Sequence, residues 1–90
     1  MSKAVVDPAE LRRFAHDLKR FNANLQAQMA VLGGRLQALG QTWRDQEQVK
    51  FVEEFEQTMK VLQRFQNASA QHVPFLMRKA EKIEDYLNQK

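Results

Sequence analysis

Ninety residues carry 14 Lys/Arg against 11 Asp/Glu, with 43% hydrophobic and 28% charged residues, a net charge of +3 and a pI near 9.5. This balance excludes a disordered chain and a membrane-embedded one. Three glycines and two prolines are too few for an all-β fold, and the absence of cysteine excludes disulfides and thiolate metal sites.

One domain is expected, all-α. Asp7 is placed as the cap of a first helix over about 8–39, with Pro8 at its first position and Glu10 closing an Asp-x-x-Glu box. Residues 1–6 are expected to be a loose tail. Apolar positions then fall at Leu11, Phe14, Leu18, Phe21, Leu25, Met29, Leu32, Leu36 and Leu39. This is a heptad seam with one stutter, where 21, 25 and 29 stand four apart. Gly33 and Gly34 lie inside the helix, and their expected role is to admit a closely packed neighbour.

The break comes at Leu39-Gly40-Gln41-Thr42-Trp43-Arg44-Asp45. Gly40 can adopt the left-handed conformation that ends a helix. Thr42, with Asp45 three residues later, reads as a capping box for a second helix. A turn over about 40–42 makes the two helices antiparallel. With the bend near residue 41, residue i is expected to face about residue 83 − i.

The second helix is expected over about 43–88. Its seam is Val52, Phe55, Met59, Leu62, Gln66, Ser69, Val73, Leu76, Ala80, Ile83 and Leu87, an unbroken 3-4 alternation with two polar members. Pro74 predicts a kink or a break near 70–74. At about 1.5 Å per residue the helices would measure roughly 48 and 69 Å. The segment after Pro74 is therefore expected to fold over, pack elsewhere or project.

Apolar residues beside both seams make the stripes wider than one hairpin can cover. Seam and flanking positions together carry five phenylalanines, Phe14, Phe21, Phe51, Phe55 and Phe65. The expected solution is a homodimer, two hairpins forming a four-helix bundle. Its core is placed on Leu11, Phe14, Leu18, Phe21, Leu25, Phe55, Met59, Leu62 and Phe65. Bends at opposite ends would bring Glu53, Glu54 and Glu56 toward Arg12, Arg13, Lys19, Arg20 and Arg64, so an antiparallel dimer is expected.

No phosphate-binding glycine loop, His-Glu-x-x-His motif or catalytic constellation occurs. His16 and His72 read as edge residues rather than metal ligands, so no catalytic, cofactor or metal site is expected. An alternative is a basic helical module binding nucleic acid. It rests on Arg12, Arg13, Lys19 and Arg20, with Lys60 and Arg64 expected across from Lys19 and Arg20. A small net charge and an acidic block over 44–56 speak against it. No apolar run is long enough for a leader or a membrane span, so a cytoplasmic protein, or one secreted without a cleaved signal, is expected.

With Trp43-Arg44-Asp45 in the bend and apolar heptads on both arms, the chain resembles the WXG family. These are the early-secreted-antigen-like small hairpins of type VII secretion. The nearer resemblance is to the Gram-negative branch whose turn carries Trp-Arg-Asp. It covers Asp7 to Tyr86, and Asp45 stands where the wider family has glycine. The resemblance implies a dimeric, non-enzymatic interaction protein, a secretion substrate or an export-linked adaptor. The implied partners are a second copy, a related WXG-like chain or a secretion component. It also makes Tyr86 the candidate for the family's C-terminal Tyr-x-x-x-Asp/Glu export signal, with Lys90 in the acidic position.

Overall fold

The structure, a computed structural model, describes residues 6–89. Most of the expected N-terminal tail and the Lys90 end of the export-signal candidate lie outside these residues. Two helices make up the described chain, α1 (Pro8–Leu39) and α2 (Gln46–Asn88), packed antiparallel in a body of 70 × 21 × 15 Å.

α1 starts where helix chemistry favours it. The Asp7 carboxylate accepts the Ala9 N–H at 2.9 Å, and Pro8, which has no N–H to satisfy, occupies the first turn. The other end departs from expectation. Gly40 is right-handed, with φ −63° and ψ −13°, and its N–H bonds back to the Leu36 and Gln37 carbonyls. The amides of Gln41, Thr42 and Trp43 do the same to Ala38 and Leu39. The helix end is thus satisfied by tightened turns, and no left-handed residue is needed.

α2 begins later than the expected residue 43. Asp45, not Thr42, is its cap, its carboxylate accepting the Gln48 N–H at 3.0 Å. Thr42 instead turns its hydroxyl back to the Leu39 carbonyl at 3.4 Å. The connection is therefore residues 40–45 rather than 40–42.

This lengthened bend shifts the register. Ser69 Oγ lies 2.9 Å from Asn22 Oδ1 in the seam, so residue i of α1 faces residue 91 − i of α2, not 83 − i. Contacts on the two flanks agree, with equal and opposite offsets: Phe21 against Phe65 on one side, Arg12 against Glu84 on the other. In this register the segment after Pro74 does not project. It lies along the first turns of α1, where Ala15 and Ala80 are fully buried.

α2 runs through Pro74 without a break. Pro74 is exposed, so the carbonyl that loses its partner lies on the solvent side, where water can satisfy it.

The α2 seam is that of the sequence pattern, from Val52 to Ile83, with Leu87 exposed. The α1 seam is not. Phe14 and Phe21 are 57% and 52% exposed, and Ala15 and Asn22 take the inward positions. Leu11, Ala15, Leu18, Asn22, Leu25, Met29, Leu32 and Leu36 then alternate 4-3 with no stutter. Gly33 and Gly34 are exposed, and a methyl group added at either would meet nothing within 4 Å. They admit no close neighbour within the hairpin.

Candidate interaction face

The register divides the hairpin into two unlike long faces. One is apolar. α1 contributes Phe14 and Phe21, α2 contributes Phe51, Val61, Phe65 and Phe75, and near the bend the seam residues Leu32 and Leu39 open onto the same face. Every one of these is between 42% and 57% exposed. Phe14 and Phe21 are a heptad apart, as Phe51 and Phe65 are two heptads apart, so each set stays on one side of its helix. Antiparallel packing brings those sides together. Phe21 and Phe65 meet edge to face across the helix boundary, ring centroids 6.0 Å apart. Toward the bend, Trp43, Phe51 and Phe55 form a run of rings at 5.7 and 5.9 Å. Beside them a shallow apolar depression of about 190 Å³ opens between Leu32, Leu36, Leu39, Phe51 and Phe55, with Arg35 at its rim.

The opposite face is polar and closed by charge. Arg12 donates to Glu84 across the helices, which holds the Glu84 carboxyl below the usual carboxylate range and raises the Arg12 guanidinium. Arg20 pairs with Asp17 on its own helix at 3.1 Å. Glu53, Glu54 and Glu56 cluster near the bend, while Arg78, Lys79 and Lys82 flank Phe75 at the open end of the apolar face.

The residues expected in a dimer core divide in two. Leu11, Leu18, Leu25, Phe55, Met59 and Leu62 are half-buried between α1 and α2 of one chain. Phe14, Phe21 and Phe65 are exposed on the apolar face. Leu32, Leu39, Val61 and Phe75 join them there. The heptad spacing holds the signal for them once Ala15 and Asn22 are given the α1 seam. In the turn motif Trp43 is half-buried, while Arg44 reaches back to the Gly40 carbonyl at 3.3 Å. Tyr86, 70% exposed, sits in the last turn of α2 rather than beyond it.

One expected juxtaposition is absent. Lys19 and Arg20 face residues near 71–72, so Lys60 and Arg64 do not lie across from them, and the basic strip does not extend over both helices. Arg12 and Arg20, two of the cations invoked for subunit orientation, are held by carboxylates of their own chain. His16 and His72 are exposed, and among the described residues no group of three or more His, Cys, Asp or Glu could hold a metal. No described helix is long and apolar enough to cross a membrane.

The sequence matches the family model of WXG100, proteins of 100 residues with WXG, over residues 4–86. No curated protein matches it. Among solved structures it is similar to the secreted protein EsxB of Bacillus anthracis str. Sterne. Against a selenomethionine-labelled form the TM-score is 0.78 at 28% identity, covering 98% of this chain and 100% of that one. Against the wild-type protein in a second crystal form it is 0.76 at 28% identity, covering 93% and 97%.

Proposed function

This chain belongs to the WXG100 family, and from that membership we infer a non-enzymatic interaction protein that works as a dimer in type VII-like secretion. Its role is that of a secreted substrate or an export-linked adaptor. The observation that carries this reading is the apolar face. Phe14, Phe21, Leu32, Leu39, Phe51, Val61, Phe65 and Phe75 are left half in water by the folded monomer. An uncovered strip of this kind on a helical hairpin marks a surface that buries against a partner. The family resemblance and the secreted EsxB relative point the same way. A second copy covers the face with the same residues and completes a four-helix bundle.

The two copies are proposed to run antiparallel, with their bends at opposite ends. The bend half of the face carries Leu32, Leu39 and the depression beside Phe51, and the open half carries Phe14 and Phe75. Opposed bends lay Phe14 and Phe75 of one copy over the depression of the other, so protruding rings meet a hollow. Bends at one end would stack Phe14 and Phe75 on their own copies and leave two depressions facing each other.

Sedimentation equilibrium at micromolar concentration tests the assembly, and a dimer is expected. Phe14→Ser combined with Phe65→Ser should shift it to monomer. A helical monomer from the parent chain would overturn the reading. Labels placed beside Trp43 test orientation, with separations beyond about 40 Å expected. Fractionation of a culture then shows whether the chain leaves the cell.

A further inference from the structure

Two polar residues lie in the buried stripe of α2. Gln66 and Ser69 are 7% and 3% exposed, in a stripe otherwise built from Leu, Ile, Val, Met, Phe and Ala. Both reach one residue of α1. Gln66 Nε2 donates to the Asn22 carbonyl at 3.0 Å, and Ser69 Oγ lies 2.9 Å from Asn22 Oδ1. Asn22 is itself the one polar residue of the α1 seam between Leu11 and Leu36.

We propose that Asn22, Gln66 and Ser69 form a register latch that rejects a pairing of the helices one heptad shorter. That competing pairing, in which residue i faces residue 84 − i, is well formed in apolar terms. It sets Leu32 against Val52, Met29 against Phe55, Leu25 against Met59 and Leu11 against Val73. It also suits a tighter bend of the kind common between antiparallel helices. Its defects are three layers in the middle of the hairpin and a C-terminal end of α2 left without a neighbour. Asn22 would face Leu62, Gln66 would face Leu18, and Ser69 would face Ala15. The Asn22 side chain would be buried against hydrocarbon without the Ser69 hydroxyl, Ser69 would keep only the Gln66 carbonyl of its own helix, and Gln66 would have to reach a different backbone carbonyl. A buried polar group without its partner is the arrangement that costs most. Polar seam residues are the established means by which paired helices choose a register. A slip of one heptad the other way also removes the polar contacts and uncovers the first turns of α2.

The latch has a consequence at the far end of the molecule. With residue i facing 91 − i, the turns from Met77 to Ile83 lie on the start of α1, and Arg12 reaches Glu84. In the shorter register α1 ends at a level near residue 76, so those turns lose their neighbour. Three residues in the middle of the hairpin thus decide whether the C-terminal end of α2 is held or released.

The chain has no cysteine, so pairs can be introduced cleanly. Gln26 and Ala70, both exposed, sit on the flank where Arg12 meets Glu84 and are level in the observed register. Gln26 and Gln63 are level only in the shorter one. Reaction of each double-cysteine chain with a short bismaleimide, read as intramolecular product by mass, reports the register.

The parent should cross-link through the 26–70 pair alone. The set Met59→Gln, Leu62→Ser, Gln66→Met, Ser69→Leu moves the polar residues one heptad toward the bend. It should switch cross-linking to the 26–63 pair. A helical transposed variant that still yields only the 26–70 product would show that the bend sets the register, and would overturn the proposal. Should that variant lose its helix content, Asn22→Leu with Gln66→Leu and Ser69→Leu decides instead. It adds only apolar burial, and both products are expected from it. The 26–70 product alone would again refute the latch.

Discussion

The Trp43 ring lies against Phe51 with centroids 5.7 Å apart, across the junction between the connection and α2. Phe51 is on the second turn of α2, and the last layer of α1, at Leu39, lies level with residue 52. The start of α2 therefore overhangs α1, and the tryptophan folds back to cover it. Trp43 is the only large apolar group of the connection, which makes it the lid of the bundle end.

Trp43→Ala should destabilise the protein by about 2 kcal/mol, less than the range of about 3–5 kcal/mol for a fully buried tryptophan, because this ring is only partly buried. Trp43→Phe should recover most of the loss. Thermal and urea unfolding monitored by helix content measure both.

The cap assignment makes a sharper set of expectations. Asp45→Ala should cost about 1 kcal/mol, since it removes the acceptor for the Gln48 N–H. Asp45→Gly should cost only a few tenths of that, roughly 0.3 kcal/mol, because glycine is itself an acceptable cap. Thr42→Ala should leave stability within about 0.5 kcal/mol of the parent, as an exposed substitution. A larger loss at Thr42 than at Asp45 would contradict the observed start of α2. The near-equivalence of aspartate and glycine here also gives a physical reason why a Trp-Arg-Asp bend can serve where relatives use Trp-x-Gly.

Gly33→Ala and Gly34→Ala should each raise stability, by roughly 0.5–1 kcal/mol. Both residues are helical and exposed, and an added methyl meets nothing within 4 Å. Chemical denaturation of the monomeric face variant isolates the effect from dimerisation. A loss in the parent chain that is absent from this variant would instead mean that the glycines pack against a partner.

Acid should weaken the clasp between the helix ends. The hydrogen bond from Arg12 lowers the Glu84 pKa in the folded state. The pair's contribution is therefore complete above the ordinary carboxylate range and is lost as pH falls through the lowered value, because the unfolded chain takes up the proton first. Glu84→Gln should lower the melting temperature slightly at neutral pH and match the parent once the carboxylate is protonated. The difference should also shrink at high salt, as both side chains are partly exposed.

What the amino-acid order determines by itself is the pair of helices, the stop between them and the inward stripe of α2. These follow from local chemistry: Asp7 and Pro8 at a start, a strict 3-4 alternation of apolar residues, and a glycine-containing break. Tertiary structure decided the rest. Periodicity weighs apolar letters and so draws Phe14 and Phe21 into the α1 seam. Packing instead admits Ala15, because a methyl lets the helices approach, and Asn22, because the Ser69 hydroxyl stands opposite to bond its side chain. The displaced phenylalanines become the outer face. Register could not be read locally either. Two pairings a heptad apart bury similar apolar residues through the middle of the hairpin, and they are separated by the meeting of Asn22 with Ser69, remote in sequence, and by the burial of Ala80 on the start of α1.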